Sequence, residues 1–373
     1  MRVLTLFCLT ALGCAGNRRP VSKRLTVAQQ DVQPNNAQEK PDVIAPWHHR
    51  QARWDGPALS SAPIIKWSVP TSGPVVHPVR TDGSSVFVVA GGAVTAVTLS
   101  GEILWTVNIA ADGPVGFGDA GLFVPTKSGV MQVLDPTNGS LRESHGGSHP
   151  IVTAPLPIGH ATVWLTSEGT LTTTSGPFDT IIEGPASDAA TQGDLLIAGN
   201  GAGDVVATTT MSVRWRAEMP GPVVGHPVLG GDRAYIPFAA SDGTHGGITA
   251  LDLNTGTTIW VSRMRAQPSA PPAIGTHLIV PDTQSELVAL DLDHGGIRWR
   301  SPAPSSFSSQ PAVQADAIYV GRHDGQLDRI DMADGGTVWS LDLGGALTGA
   351  MCHTSGLIFL GTADGRLLAL EAK

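Results

Sequence analysis

The stretch "LDLDHGGIRW", residues 290–299, decides the fold, because the chain writes it three times. "LDLNTGTTIW" occupies residues 251–260 and "IDMADGGTVW" residues 330–339. A phrase repeated at a period of 20–50 residues marks a stack of units that cannot bury their apolar faces singly. Working outward, we take the position four residues after the turn glycine as the reference. Trp67, Trp105, Trp215, Trp260, Trp299 and Trp339 fall on it, and Glu143 and Thr180 hold it in the gap. The steps are 38, 38, 37, 35, 45, 39 and 40 residues.

Each unit has one grammar. A short strand begins near a proline, as in "GPVVHPV" and "SSQPAV". An apolar second strand follows, such as "SVFVVAG", "THLIVPD" or "GLIFLGT". A turn such as "HDGQ" leads to a third strand of the "LVALDL" kind, and a glycine turn leads to the tryptophan strand. β-Branched runs bounded by Asp-Gly turns are hairpin signals, and no segment shows a helical period. Four strands in about 40 residues is the size of a propeller blade. The apolar second strand occurs eight times, and the last unit stops after its third strand. "IIKWSVP", residues 64–70, is a tryptophan strand with no blade before it. The expectation is an all-β, eight-bladed propeller of four-stranded antiparallel blades, with the N-terminal strand completing the last blade. Closure leaves no long edge for aggregation.

The repeated residues read as interlocks. The turn glycine supplies a tight turn and the aspartate bonds its own turn backbone. The tryptophan is an apolar plate for the next blade, its indole N–H seeking a carbonyl. Blades 2 and 3 lack it, so their onward interfaces are expected to be looser, with Phe178 a substitute in blade 3.

Composition agrees. Gly 45 and Pro 28 in 373 residues suit many short strands and tight turns. Charged residues are 15% and the formal net charge is −9. No basic stripe appears, so nucleic acid is excluded as a partner.

The N-terminus "MRVLTLFCLTALGCAGN" has one cation, Arg2, then an apolar run too short to span a bilayer. It is the length of a signal-peptide core. Its end, "ALGC", resembles the bacterial lipobox, with Ala11 where leucine is usual. That resemblance implies a signal peptide over 1–13 and lipidation of Cys14. Ala15, which is not aspartate, implies the outer membrane, periplasmic side, the cell surface being the alternative. Cys8 would leave with the signal, so Cys352 would have no partner for a disulfide. Residues 14–45 read as a flexible tether, 46–63 as a lead-in, and 64–373 as the propeller.

The phrase G-x-L-x-A-L-D-x-x-x-G-x-x-x-W, with Trp47–Trp67 as its lead-in, resembles the pyrroloquinoline-quinone-type propeller repeat. Blades 5 to 8 follow it best, whereas blades 3 and 4 carry "TLTTTSGP" and "VVATTTMSVRW". Lipobox, tether and ring together are similar to the lipoproteins of outer-membrane barrel assembly. The resemblance implies a lipid-anchored, monomeric, non-enzymatic scaffold. Its partner would be an envelope protein of that machinery, and the membrane would be met through the anchor alone. Fold by itself does not fix function.

An enzyme of this repeat would hold quinone and Ca²⁺ in the channel, with an aspartate base and often adjacent cysteines. No two cysteines here are adjacent, and Asp252, Asp291 and Asp293 sit at repeated turn positions. We therefore expect no cofactor and no catalytic residues. His48, His49, His145 and His149 lack zinc spacing, so no metal is expected. "GNGAGD", residues 199–204, lies between strands and reads as a turn, not a nucleotide loop. A ligand-binding envelope propeller, for polysaccharide or peptide, is the alternative class. The fifth unit is 45 residues long, and its extra loop, Ser241, Asp242, Gly243, Thr244 and His245, is the first candidate for partner contact.

Overall fold

The computed structural model of the chain describes residues 58–373, apart from Ser148, His160 and Met211. The signal peptide, Cys14, the tether and most of the lead-in lie outside the described residues.

The described chain forms eight four-stranded antiparallel sheets and no helix. Blade 1 runs outward through Arg80–Thr81, Ser85–Ala90, Ala93–Thr98 and Ile103–Asn108. Blades 2 to 7 repeat that order. Blade 8 takes Leu347–Thr354, Leu357–Thr362 and Arg366–Glu371 from the C-terminus, and Ile64–Pro70 from the N-terminus as its outer strand. Six residue pairs zip Ile64–Pro70 to Arg366–Glu371, and Lys66 pairs with Glu371 at 2.8 Å. The ring closes by the N-terminal strand, as its missing eighth tryptophan strand requires.

The second and third strands bury both faces, because each blade is sandwiched between two others. Val86, Phe87, Val88 and Val89 are all 2% exposed or less. Side chains alternate between neighbours. In blade 1, Val86 and Val88 join a cluster with Phe359 and Leu367 of blade 8. Phe87 and Val89 join one with Phe117 and Leu122 of blade 2.

Every blade carries a bulge between its third and outer strands. In blade 1 Ala96 pairs with Trp105 but Val97 pairs with Ile103, so Leu104 is skipped. The same shift recurs just before Trp67, Trp215, Trp260, Trp299 and Trp339. A bulge sharpens local twist and re-aims the next side chain. Here it aims the tryptophan at the neighbouring blade and turns Leu104, Ile259 and Val338 to solvent, each 41–48% exposed.

Candidate functional site

The indoles lock one blade to the next through a hydrogen bond. Trp67, Trp105, Trp215, Trp260 and Trp299 donate from Nε1 to the carbonyls of Leu99, Pro136, Leu253, Leu292 and Met332 at 2.9–3.1 Å. Each carbonyl lies in the glycine turn of the following blade. The turn aspartates act as expected: Asp252 accepts from the backbone N–H of Asn254 and Thr255. Threonine and arginine donors hold Asp135 at a pKa of about 2.

Blade 8 has no such turn, because its third strand, Arg366–Glu371, and its outer strand, Ile64–Pro70, are not consecutive in the chain. Trp339 instead donates to the carbonyl of Leu59 at 3.2 Å, and the Leu59 N–H donates to Tyr319 Oη at 2.8 Å. Ala58 and Leu59 pack beside Trp339 on the core between blades 7 and 8. The residues just before the first strand thus stand in for the eighth turn.

Two interfaces lack the plate, and they resolve differently. Glu143 of blade 2 stands opposite Val133, at the tryptophan register. It takes His145 as its partner at 2.9 Å. The apolar plate comes from the other side: Trp164, on the second strand of blade 3, is 2% exposed and packs on Phe123, Met131 and Val133. The interface between blades 2 and 3 is filled, contrary to expectation.

In blade 3 the register corrects the sequence alignment by one residue. Leu171 pairs with Asp179 and Thr172 with Pro177, so Asp179, not Thr180, holds the plate position. The glycine turn has shortened, which is why counting four residues from Gly176 overshoots. Phe178 is the skipped bulge residue and is 50% exposed, so it does not replace the plate. A cleft of about 820 Å³ opens here between blades 3 and 4. Thr180, Ile181, Ile182 and Glu183 line one side, and Asp204, Arg216 and Glu218 the other. Ile181 and Ile182 are nearly buried, at 2% and 1%, and join the core between these blades. Glu183, Arg216 and Glu218 are exposed. Three carboxylates against one guanidinium make the walls acidic. Asn200 fixes the opening, donating to the Glu183 carbonyl at 2.8 Å and to Asp204 Oδ2 at 2.9 Å.

The loop of Ser241 to His245 is a closed turn. Ala240 N–H donates to the His245 carbonyl at 2.7 Å, Thr244 donates to Asp242, and Gln267 donates to the Gly243 carbonyl. Thr244 holds the Asp242 carboxyl below the usual range. The loop is exposed but lines no part of the cleft. Cys352 is buried in blade 8, where burial pushes its thiol up to about 12. Among the described residues no three His, Cys, Asp or Glu side chains gather as metal ligands. The histidines His77, His145, His149 and His226 each face one carboxylate.

Comparison with known proteins places these features in context. Residues 161–305 and 244–373, together more than half of the chain, match the family model described as outer membrane protein assembly factor BamB. Over 172 residues the chain is 32% identical to the outer membrane protein assembly factor BamB of Bordetella pertussis. That match spans 43% of this chain and 43% of that relative, so less than half of the relative's length is covered. The crystal structure of BamB from Moraxella catarrhalis superposes with a TM-score of 0.69 at 18% identity, covering 83% of this chain and all of that one. A quinohemoprotein alcohol dehydrogenase from Comamonas testosteroni superposes with a TM-score of 0.67 at 13% identity, over 87% of this chain and 78% of that one. At such identities the two structures speak for the fold alone.

Proposed function

This chain belongs to the outer membrane protein assembly factor BamB family, and from that membership we propose that it is a non-catalytic scaffold in outer-membrane β-barrel assembly. Cys14 carries the lipid that tethers the ring to the outer membrane on its periplasmic side. More than one acyl chain makes such attachment durable. The partner is a protein of the assembly machinery that presents an extended, basic segment to the cleft between blades 3 and 4.

The cleft carries this reading. It is the one interface among those described where neither neighbour supplies an aromatic plate, and the exposed Glu183, Arg216 and Glu218 line the opening left there. Gly176–Thr180 is the outer strand of blade 3 and pairs on one side only. Its free edge is suited to adding a strand from a partner. The acidic walls favour a basic segment and speed its approach.

The test is affinity capture from the native envelope with quantitative mass spectrometry, comparing wild type with the Glu183→Lys, Glu218→Lys double variant. The reading expects an outer-membrane assembly protein on the wild type and at least a tenfold loss on the variant. Equal recovery on both would remove the cleft as the docking site.

A further inference from the structure

The inner side of the ring carries a polar cluster that the cleft does not use. Cross-strand register defines its position. Trp260, Ala250, Tyr235 and Val228 make one row across blade 5, and His226 stands two residues before the inner member. The same count gives Asp188 before Ala190 in blade 4 and Gln310 before Ala312 in blade 7. In blades 1, 2, 6 and 8 it gives Pro78, Pro114, Pro271 and Ala350. The three polar exceptions meet one another. His226 Nδ1 lies 3.3 Å from Asp188 Oδ2. Gln310 Nε2 lies 3.5 Å from His226 Nε2 and donates to the Pro272 carbonyl of blade 6 at 3.1 Å. Ala189 N–H donates to Asp188 Oδ1 at 2.8 Å and holds the carboxylate in place. Blades 5 and 7 are not neighbours, so their side chains touch only on the inner side of the ring.

The partners set every proton in this chain of bonds. A carboxylate and a carbonyl only accept. Nδ1 of His226 therefore donates to Asp188, and Gln310 presents its amide nitrogen to Pro272. Nε2 of the neutral ring is left to accept the second N–H of that nitrogen. A further proton on the imidazole turns Nε2 into a donor facing a donor. Turning the amide over only trades that clash for one between its oxygen and the Pro272 carbonyl. The Asp188 bond survives, since a neighbouring carboxylate favours the charged ring. The charges bearing on the cluster are Asp188 and, through Asp188, Arg80 of blade 1. Carboxylate and guanidinium groups ordinarily keep their charge between pH 5 and 8. Imidazole is the group that titrates there.

We infer that His226 is a proton-operated latch of the ring. Neutral, it couples blades 4 and 5 to blades 6 and 7 through Gln310; protonated, it lets Gln310 go. A hydrogen bond accepted by the neutral imidazole favours the neutral form. The stabilisation that Gln310 provides is therefore complete at high pH and is lost as His226 takes its proton. This latch is independent of the cleft.

The experiment is NMR of the full chain, with glutamine side chains labelled with nitrogen-15, titrated from pH 8 to pH 5. The Gln310 amide is the signal missing from Gln310→Leu, and the His226 ring is the one missing from His226→Asn. The Gln310 signal should move along the His226 titration curve and stay still in His226→Asn. A Gln310 signal that stays fixed in the wild type from pH 8 to pH 5, or moves equally in His226→Asn, overturns the inference. If His226→Asn does not fold, thermal melts of Gln310→Leu decide. That variant should lower Tm by about 2 °C at pH 8 and by less than half as much at pH 5. An equal loss at both pH values overturns the inference too.

Discussion

Replacing Gly295 with alanine tests the interlock most sharply. Gly295 sits at φ +69° in the blade 6 turn, under the indole of Trp260. A Cβ there would stand 2.5 Å from Trp260 Cε3 and 2.7 Å from Cδ2. Two penalties add: a left-handed conformation costs an L-residue about 1–2 kcal/mol, and overpacking a tight contact costs about 1–3 kcal/mol. The expected loss is therefore about 2–5 kcal/mol. Gly356→Ala separates the two terms. Gly356 has φ +76°, and nothing lies within 4 Å of its Cβ position, so only the conformational cost of about 1–2 kcal/mol applies. Denaturant unfolding by tryptophan fluorescence reads both variants. A second arm pairs Gly295→Ala with Trp260→Leu, which removes the clashing ring. The glycine change should then cost only its conformational share, a coupling of about 1–3 kcal/mol in the double-mutant cycle. Equal losses at Gly295 and Gly356, or strict additivity with Trp260→Leu, would refute the view that the indoles hold the blades together.

Two further outcomes follow from the same structure and a third from the sequence. Trp339→Phe keeps an aromatic ring but loses the bond to the Leu59 carbonyl, so stability should fall by about 1 kcal/mol; in the same variant, limited proteolysis should cut the segment before Ile64 faster. Asp282 is 0% exposed, its Oδ2 has no hydrogen-bond partner, and desolvation raises its pKa. A raised carboxyl pKa penalises the folded state above that pKa, and the penalty fades as pH falls through it toward the unfolded value. Wild type should therefore gain stability relative to Asp282→Asn as pH drops from 8 toward 4, read by thermal melts; a gap that widens in the opposite sense would contradict this. Cys14→Ser should release the protein from membranes into the soluble fraction on cell fractionation.

The ring was legible because its information is periodic. Trp260, Gly295 and the turn aspartates recur, and the unpaired "IIKWSVP" strand fits the truncated last unit. What repeats in sequence repeats in space, since each blade faces the same neighbour geometry. The cleft was half legible. The missing tryptophans pointed to two interfaces, of which one is filled and the other opens into the cleft. Only structure shows that Trp164, an ordinary second-strand residue in sequence, fills one of them from the opposite side. Phe178 misled because a one-residue change in turn length moves a strand residue to the other face, and the bulge turned it outward. The role of Leu59 was hidden because the other bonded indoles meet a glycine turn, and only Trp339 meets the segment before the first strand. Asp188, His226 and Gln310 hold one register position in blades 4, 5 and 7, and only the closed ring brings their side chains into contact.

The most direct test of the account is site-specific photocrosslinking in the native envelope. A photoreactive residue is placed at Glu183 or Glu218 in the cleft, and separately at Thr244 in the blade 5 loop. The account predicts adducts with an outer-membrane assembly protein from both cleft positions and none from Thr244. Adducts from Thr244 alone, or none from either cleft position while the ring remains folded, would contradict it.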